Sequence, residues 1–176
     1  SYQLELSPSL ACSIAVLLNI TPDHLDRHGG MDGYVRAKRR IFGNLGYDPK
    51  IIVGTDDEIT RSICHQLKHE SDLSVIPISG YQIPENGVGV KSGNLRSKLP
   101  RIPKCEINLN EMKTLIGVHN HQNAAAAIAI ALSLGIEQQE IEFALKCFEG
   151  LHHRQELVRE LFGINFINDS KATNFD

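Results

Sequence analysis

The sequence predicts an α/β fold in which a mostly parallel sheet is flanked by helices, with a small antiparallel β insertion. Three observations support this prediction. Short apolar runs typical of buried strands alternate with stretches of helical period in the first part of the chain. The segment from Gly80 to Gly117 is rich in glycine and proline and has short alternating runs, which indicates a small antiparallel meander inserted at or beside the main sheet. The apolar stretch Ala124–Leu132, followed by Gly135, predicts a buried helix with a glycine end-cap.

Each element follows from its local pattern. Strands are predicted at Tyr2–Leu6, Ile14–Ile20, Lys50–Val53 and Leu73–Ile78, with a turn at Asp48-Pro49. Helices are predicted from near Asp32, from Asp56 or Asp57 to about Glu70, from near Asn120 to Leu134, and over Glu137–Phe148. After Gly150 the chain reads as a linker, and Gln155–Glu160 and Ile164–Ile167 pair as a hairpin that turns at Phe162-Gly163.

The composition excludes several classes of partner. The chain has 176 residues, of which 41% are hydrophobic and 22% charged, as in ordinary globular proteins. A formal charge of −3 gives no basis for a mainly electrostatic nucleic-acid or membrane partner. The four cysteines form no C-x-x-C pair, which fits reduced thiols. We therefore expect a cytoplasmic monomer that neither binds nucleic acid nor inserts into a membrane. Because Ser1 begins in mid-strand and the chain stops in a polar loop, we also expect a piece of a longer protein.

Lys38 is the anomaly of the first predicted helix. It lies on the same face as the apolar residues Tyr34, Ile41, Phe42 and Leu45, whereas Arg36, Arg39 and Arg40 point toward water. Burial lowers the pKa of a lysine and leaves a more nucleophilic amine. The alternative is that the stem of Lys38 packs and its head reaches solvent. The pattern alone favours this second reading. His24 and Asp23, on a loop after a predicted strand that could face the same crevice, weigh against it.

Glu5 is a single acid among apolar neighbours. A buried unpaired carboxylate is costly, so Glu5 must reach solvent, meet a cation or bind a metal. Together with His24 and Lys38 it is a candidate ligand of a metal or phosphate. Asp169 and Lys171 form a second polar candidate, on a loop after a strand.

Asn120 and Asn123 fall in the first turn of the long predicted helix, where backbone N–H groups lack partners. Asn120 is either a cap or, with Asn123, a group that binds a purine or a phosphate, and the sequence favours the cap. His65 and His69 have metal-ligand spacing but no third ligand nearby, which indicates a solvated face. The chain contains no phosphate-binding G-x-x-x-x-G-K-[ST] loop.

Six motifs occur in an order that matches a known family. They are S-Y-Q-L-E (Ser1–Glu5), L-N-I-T-P-D-H-L-D-R-H (Leu18–His28), Y-x-x-A-K (Tyr34–Lys38), H-N-x-x-N-A (His119–Ala124), G-L-x-H-R (Gly150–Arg154) and N-D-S-K-A-T-N (Asn168–Asn174). Together they resemble the ATP-dependent Mur ligases of peptidoglycan synthesis. The first and last motifs resemble those of the branch that joins D-glutamate to UDP-N-acetylmuramoyl-L-alanine.

The resemblance implies a domain division. Residues 1–150 would be most of the central ATP-binding domain, and residues 151–176 would begin a Rossmann-like C-terminal domain that receives the amino acid. The family's phosphate loop would lie before Ser1. The isolated fragment is then expected to be inactive.

The resemblance also implies roles for individual residues. ATP would phosphorylate the substrate carboxylate, and the amine of D-glutamate would attack the resulting acyl phosphate. Glu5 and His24 would bind Mg²⁺, and Lys38, carbamylated by CO₂, would bind or orient the metal. ATP would contact Asn120, Asn123, His153, Arg154 and Asp169. Lys171 would contact phosphate near the reaction centre, and Thr173 would bind the carboxylate of D-glutamate.

Two alternatives stay open at the level of sequence. One is a sister Mur ligase or a folylpolyglutamate-type ligase that uses another amino acid. The other is a nucleotide-binding module without turnover.

Overall fold

The computed structural model describes residues 2–23, 25–70, 73–112 and 114–172. Its largest element is a six-stranded sheet in the order β1–β2–β3–β4–β5–β6. The strands are β1 Cys12–Leu17, β2 Leu45–Gly54, β3 Ser74–Ser79, β4 Val88–Lys91, β5 Asn94–Ser97 and β6 Glu106–Asn108. Neighbours from β1 to β4 pair in parallel, and β5 and β6 continue the sheet antiparallel. The predicted fold class is confirmed.

Helices cover both faces of the sheet. They are α1 Tyr2–Glu5, α2 Leu25–His28, α3 Met31–Arg39, α4 Glu58–Glu70, α5 Val118–Ser133 and α6 Gln138–Lys146. Successive residues of a strand point to opposite faces, so Ile51 and Val53 pack with Cys64 of α4 while Ile52 packs with the core that includes α5. Within the described ranges, no helix is both long and apolar enough to cross a bilayer.

The strand predicted at Tyr2–Leu6 is wrong, because the structure has the short helix α1 there. A helical turn places residues three apart on one side, whereas a strand would place them on opposite faces. Tyr2 and Glu5 therefore lie on the same side of α1, and both contact residues of α2. The Tyr2 ring lies 4.1 Å from the Arg27 guanidinium carbon, and the Glu5 carboxylate contacts Arg27 and His28.

The turn predicted at Asp48-Pro49 is also wrong, because β2 runs through it. Cys12 pairs with Leu45 while Ile14 pairs with Lys50, so the extra residues of β2 form an irregularity in a continuous strand. Asp48 lies at this irregularity with a φ of 45°. The strand predicted at Lys50–Val53 is the regular part of β2.

Helix α3 is shorter than its apolar pattern predicts. It ends at Arg39, a 3₁₀ turn follows at Arg40–Phe42, and Leu45 already belongs to β2. Phe42 and Leu45 still reach the apolar cluster around Ile51 and Val53. The pattern therefore identified residues that pack against the core, Phe42 and Leu45 being partly buried, but it assigned too many of them to the helix.

The predicted meander is confirmed, and of the two placements expected for it, at or beside the main sheet, the structure shows the first, because β4, β5 and β6 continue that sheet. Val88 at the start of β4 pairs with Ile78 near the end of β3. Because β4 begins where β3 ends, a loop can connect these parallel strands without a crossover helix. Lys91 and Asn94 then close a tight hairpin between β4 and β5.

The predicted C-terminal hairpin is present as a separate two-stranded sheet of β7 Glu156–Leu161 and β8 Ile164–Asn168. Phe162 and Gly163 have φ values of 52° and 76° at its turn. Positive φ at both central residues is the geometry that favours a two-residue hairpin.

Candidate active site

Glu5 is held by two side chains of α2. Its Oε1 lies 3.3 Å from Nδ1 of His28, and its Oε2 lies 3.9 Å from the guanidinium of Arg27. The His28 side chain is 2% exposed, whereas that of Arg27 is 53% exposed. Three environments were expected for Glu5: solvent, a cation or a metal. The structure shows its carboxylate in contact with two basic side chains, of which His28 is buried and Arg27 is exposed.

His28 connects Glu5 to Lys38 through an aromatic ring. The centroids of the His28 and Tyr34 rings are 5.5 Å apart, and Nζ of Lys38 lies 5.2 Å from the Tyr34 centroid. Lys38 is half-buried, and its ammonium lies within the range of a cation–π interaction. We call Glu5, His28, Tyr34 and Lys38 the Glu5–Lys38 string. The Lys38 ammonium lies beside the Tyr34 ring, and the half-buried side chain fits both the inward placement and the reading in which its head reaches solvent.

Gly33 allows α2 to lie close to α3. A Cβ atom built on Gly33 would lie 1.7 Å from the carbonyl oxygen of His28, closer than any side chain permits. Only a residue without a side chain fits there. The string thus depends on a backbone contact as well as on its side chains.

The described residues fit a magnesium site only in part. Mg²⁺ prefers oxygen ligands, and Glu5 supplies a carboxylate on the same string as Lys38. His24, the third predicted ligand, lies outside the described residues. Within the part of the chain that the structure describes, no three His, Cys, Asp or Glu side chains converge as metal ligands.

A second group of contacts lies at the carboxyl ends of β2 and β3, where open α/β sheets bind ligands. Asp56 follows β2, and its Oδ1 accepts a hydrogen bond from Oγ of Ser79 at 2.5 Å. Its Oδ2 accepts from the backbone N–H of Gly80 at 2.7 Å and from Nε2 of Gln122 at 2.9 Å. We call Asp56, Ser79, Gly80 and Gln122 the Asp56 network.

The adjacent carboxylate, Asp57, has a different role. Its Oδ1 accepts from the backbone N–H of Thr60 at 2.8 Å, which caps α4 as predicted. Its Oδ2 accepts from the backbone N–H of Ile20 at 3.3 Å. Asp57 therefore ties the loop after β1, which leads to His24, to the start of α4.

Asn120 and Asn123 lie in the first turns of α5. Nδ2 of Asn120 donates to the carbonyl of Ile116 at 2.8 Å, and Asn123 is exposed. Burial lowers the pKa of the neighbouring His121, the proximity of His119 lowers it further, and a hydrogen bond to the backbone of Gly80 opposes the shift. The cap reading of Asn120 is wrong: Gly117 is the N-cap of α5, and the Asn120 amide donates to a carbonyl, whereas an N-cap side chain accepts from helix N–H groups. The exposed Asn123 side chain lies at the same end of the helix.

The remaining predicted residues meet at the open end of the β7–β8 hairpin. Oδ1 of Asp169 accepts from the backbone N–H of Gln155 at 3.2 Å, and the backbone N–H of Lys171 donates to the carbonyl of His153 at 3.0 Å. Arg154 closes the adjacent turn by donating its N–H to the carbonyl of Leu151. All of these side chains are exposed. Thr173 lies outside the described residues.

Two further residues order this end of the hairpin. Glu156 accepts from the backbone N–H of His153 at 2.9 Å and contacts Nδ1 of His152 at 2.8 Å. The bond from the His153 backbone, followed by the His152 side chain, lowers the pKa of Glu156. Nδ2 of Asn168 contacts Nδ1 of His153 at 2.8 Å.

The structure therefore connects Glu5 with Lys38 through His28 and Tyr34, and it bonds Lys171 to His153 and Asp169 to the neighbouring Gln155. These contacts do not link the two groups to each other or to Asn120 and Asn123. Neither the Asp56 network nor the role of His28 was predicted from the sequence. The pair Asp56-Asp57 was visible after a strand, yet it was interpreted only as a helix cap. Gln122 stands inside the H-N-x-x-N-A motif at a position that the motif leaves open.

The chain is similar in sequence to ligases from other bacteria. The UDP-N-acetylmuramoylalanine–D-glutamate ligase of Rhodospirillum rubrum is 51% identical over the whole of this chain, which covers 37% of that protein. The ligase of the same name from Caulobacter vibrioides is 44% identical over the same span, again 37% of its length. The chain thus spans little more than a third of these relatives.

Solved structures show the same fold. MurF from Acinetobacter baumannii superimposes with a TM-score of 0.66 at 26% identity, over 89% of this chain and 33% of that one. The UDP-N-acetylmuramate–alanine ligase MurC from Thermotoga maritima superimposes with a TM-score of 0.59 at 21% identity, over 94% of this chain and 36% of that one. At this identity the comparison shows that the two chains share a fold. The sequence profile described as the Mur ligase middle domain matches residues 2–131. The chain therefore belongs to the Mur ligase family.

Proposed function

We propose that this chain is the central part of a longer ATP-dependent ligase that joins D-glutamate to UDP-N-acetylmuramoyl-L-alanine in peptidoglycan synthesis. The observation that carries the proposal is 51% identity along the entire chain to a ligase named for D-glutamate. A likeness confined to the middle domain would support only the family, whereas this one also includes the hairpin residues after the matched profile.

The domain division follows the same reasoning. Residues 1–150 are proposed as most of the central ATP-binding domain, and residues 151–176 as the start of the C-terminal domain that receives the amino acid. Two observations support it: the middle-domain profile ends at residue 131, and β7 and β8 form a sheet of their own. The phosphate loop of the central domain would precede Ser1.

The proposed reaction has two steps. A carboxylate oxygen of UDP-N-acetylmuramoyl-L-alanine attacks the γ-phosphorus of ATP, which forms an acyl phosphate and releases ADP. The amine of D-glutamate then attacks the acyl carbon, an amide bond forms, and inorganic phosphate leaves with the carboxylate oxygen. Positioning and neutralisation of negative charge are the main catalytic requirements of phosphoryl transfer.

The Glu5–Lys38 string would form the metal side of this site. Glu5, His24 and Lys38 are proposed to hold Mg²⁺, which would neutralise charge on the transferring phosphoryl group. The Lys38 amine would add to CO₂ and lose a proton to become a carbamate, so that a cation becomes an anion. This reaction requires the neutral amine. The placement of Lys38 over the Tyr34 ring, on the same string as Glu5, supports the proposal.

The nucleotide side would be shared between α5 and the hairpin. Asn120 and Asn123 are proposed to contact ATP from the start of α5, and His153, Arg154 and Asp169 from the hairpin. Lys171 would contact phosphate, and Thr173 the carboxylate of D-glutamate. Two hydrogen bonds support a common ligand for these loops: the backbone N–H of Lys171 donates to the carbonyl of His153, and the backbone N–H of Gln155 donates to the carboxylate of Asp169. We further propose a monomeric, cytoplasmic enzyme.

The test uses the protein encoded by the complete reading frame. Phosphate release is measured with UDP-N-acetylmuramoyl-L-alanine, ATP and Mg²⁺, and with D-glutamate, L-lysine or L-alanine as acceptor. We expect turnover with D-glutamate and little with the other two. Efficient use of another amino acid and none of D-glutamate would instead identify a sister ligase. ATP binding without turnover with any acceptor would identify a nucleotide-binding module.

A further inference from the structure

The start of α5 is fixed by a buried amide. Gln122 is 4% exposed, and its Nε2 donates to Oδ2 of Asp56, 66 residues earlier in the sequence. Buried polar groups are retained in proteins when they are hydrogen-bonded, and a bond to a charged acceptor is stronger than one between neutral groups. The Gln122 side chain therefore has one well-defined position, and α5 is constrained with it.

The carboxylate that receives Gln122 is itself fixed. Asp56 also accepts from Oγ of Ser79 and from the backbone N–H of Gly80. The same Ser79 Oγ accepts from the backbone N–H groups of Tyr81 and Gln82, each at 3.1 Å. The acceptor is thus held by the ends of two strands and cannot follow α5 if the helix shifts.

Backbone packing reinforces these bonds. A Cβ atom on Gly80 would lie 2.4 Å from the carbonyl oxygen of Val118 and 3.2 Å from the backbone nitrogen of Gln122. A Cβ atom on Gly54 would lie 1.8 Å from the carbonyl oxygen of Leu18 and 2.9 Å from Nε2 of Gln122. The start of α5 is therefore in direct contact with the ends of β2 and β3.

We propose that Asp56 and Gln122 are positioning residues that set the placement of Asn120 and Asn123 for nucleotide binding. Gln122 lies between these two residues in the first turns of α5, so an adjustment of the helix moves both. The proposal rests on the proposed function, because that function assigns the nucleotide to Asn120 and Asn123. It adds residues that do not contact the nucleotide but control its affinity.

The experiment measures ATP affinity in the protein encoded by the complete reading frame. The Gln122→Met variant keeps the volume of the side chain but removes its amide. The Asp56→Asn variant is conservative, because its amide oxygen can still accept from Gly80 and Gln122. The control is Ser97→Ala. Ser97 is 4% exposed and its Oγ accepts from the backbone N–H of Cys105, and it pairs with Val88 at the amino end of β4.

Calorimetry with ATP and Mg²⁺, steady-state kinetics and urea unfolding are recorded for each variant. For Gln122→Met we expect the ATP Kd and KM to rise roughly 2- to 30-fold, with a smaller change in kcat at saturating ATP. Asp56→Asn should fall between this variant and the wild type. Ser97→Ala should lose stability and keep the wild-type ATP Kd. If Gln122→Met does not fold, Asp56→Ala replaces it.

A wild-type ATP Kd in a folded but destabilised Gln122→Met protein would overturn the proposal, because the Asp56 network would then serve stability alone. If Asn123→Ala weakens ATP binding while the two network variants do not, the proposed function stands and the positioning role falls. If the wild-type protein does not bind ATP, the proposed function fails and this proposal fails with it.

Discussion

Nζ of Lys38 lies 5.2 Å from the centroid of the Tyr34 ring, one helical turn earlier on α3. Tyr34 is 5% exposed and packs with Leu17, Ile20 and Ile63. The ring thus has one side in the apolar core and interacts with both His28 and Lys38. It anchors the string on which the proposed metal site depends.

This relationship predicts different results for two substitutions of Tyr34. Tyr34→Phe keeps the ring and should change the free energy of unfolding by less than about 1 kcal/mol. Tyr34→Leu removes the ring, and with it both packing and the cation–π interaction, and should destabilise the fold by about 1–3 kcal/mol. Urea unfolding of the two variants measures the difference. Equal stabilities would show that the ring makes no specific contribution.

A second prediction concerns Gly33. Because a Cβ atom there would meet the backbone oxygen of His28, Gly33→Ala must push α2 away from α3 and should cost about 1–3 kcal/mol. Gly46→Ala is the matched control, since a Cβ on Gly46 has no neighbour closer than 3.5 Å. The free energies of unfolding of both variants are compared with the wild type. A Gly33→Ala protein as stable as Gly46→Ala would contradict the close contact.

The fold could be predicted wherever local pattern and tertiary contact agree. The apolar runs around Ile51 and Ile76 identified the central strands, and the period of Tyr34 and Lys38 gave the inward face of α3. The prediction failed at Tyr2–Leu6, where alternation over a few residues suits a strand but the contacts of Tyr2 and Glu5 with α2 require a helix. Such contacts with a distant segment are not encoded in a local pattern.

Less of the site could be predicted. Lys38 and Glu5 were recognised because each is unusual in its own segment. Asp56 and Gln122 are 66 residues apart, and each has an ordinary local reading, one as a cap and the other as a helix residue. Their relationship arises only when β2, β3 and α5 are assembled, and it is therefore visible only in the structure.

The thiols provide a test of burial. Burial, followed by the nearby Glu142 carboxylate, raises the pKa of Cys105 to about 11, and burial also raises the pKa of Cys64. Cys147 is exposed. Because the thiolate is the reactive form, iodoacetamide at pH 8 should label Cys147 first and Cys64 and Cys105 much more slowly, as followed by peptide mass spectrometry. In urea the three rates should converge. Labelling of Cys105 at the rate of Cys147 in the folded protein would contradict the burial of Cys105 directly before β6.

The proposed carbamate on Lys38 has its own test. The complete protein, equilibrated with ¹³C-bicarbonate, should show a carbamate carbon signal in its NMR spectrum that is absent from Lys38→Arg. The arginine variant keeps the positive charge but cannot carry the group, so its ligase activity should fall by at least about two orders of magnitude. Arg36→Lys, on the exposed face of the same helix, is the control and should behave as the wild type. Full activity of Lys38→Arg would rule out the role assigned to Lys38.

The transfer of oxygen from substrate to phosphate tests the central claim most directly. UDP-N-acetylmuramoyl-L-alanine labelled with ¹⁸O in its carboxylate is incubated with the complete protein, ATP, Mg²⁺ and D-glutamate, and the released phosphate is analysed by mass spectrometry. The acyl-phosphate route predicts one ¹⁸O atom in each inorganic phosphate formed with the amide. Unlabelled phosphate, or label recovered in AMP, would contradict it.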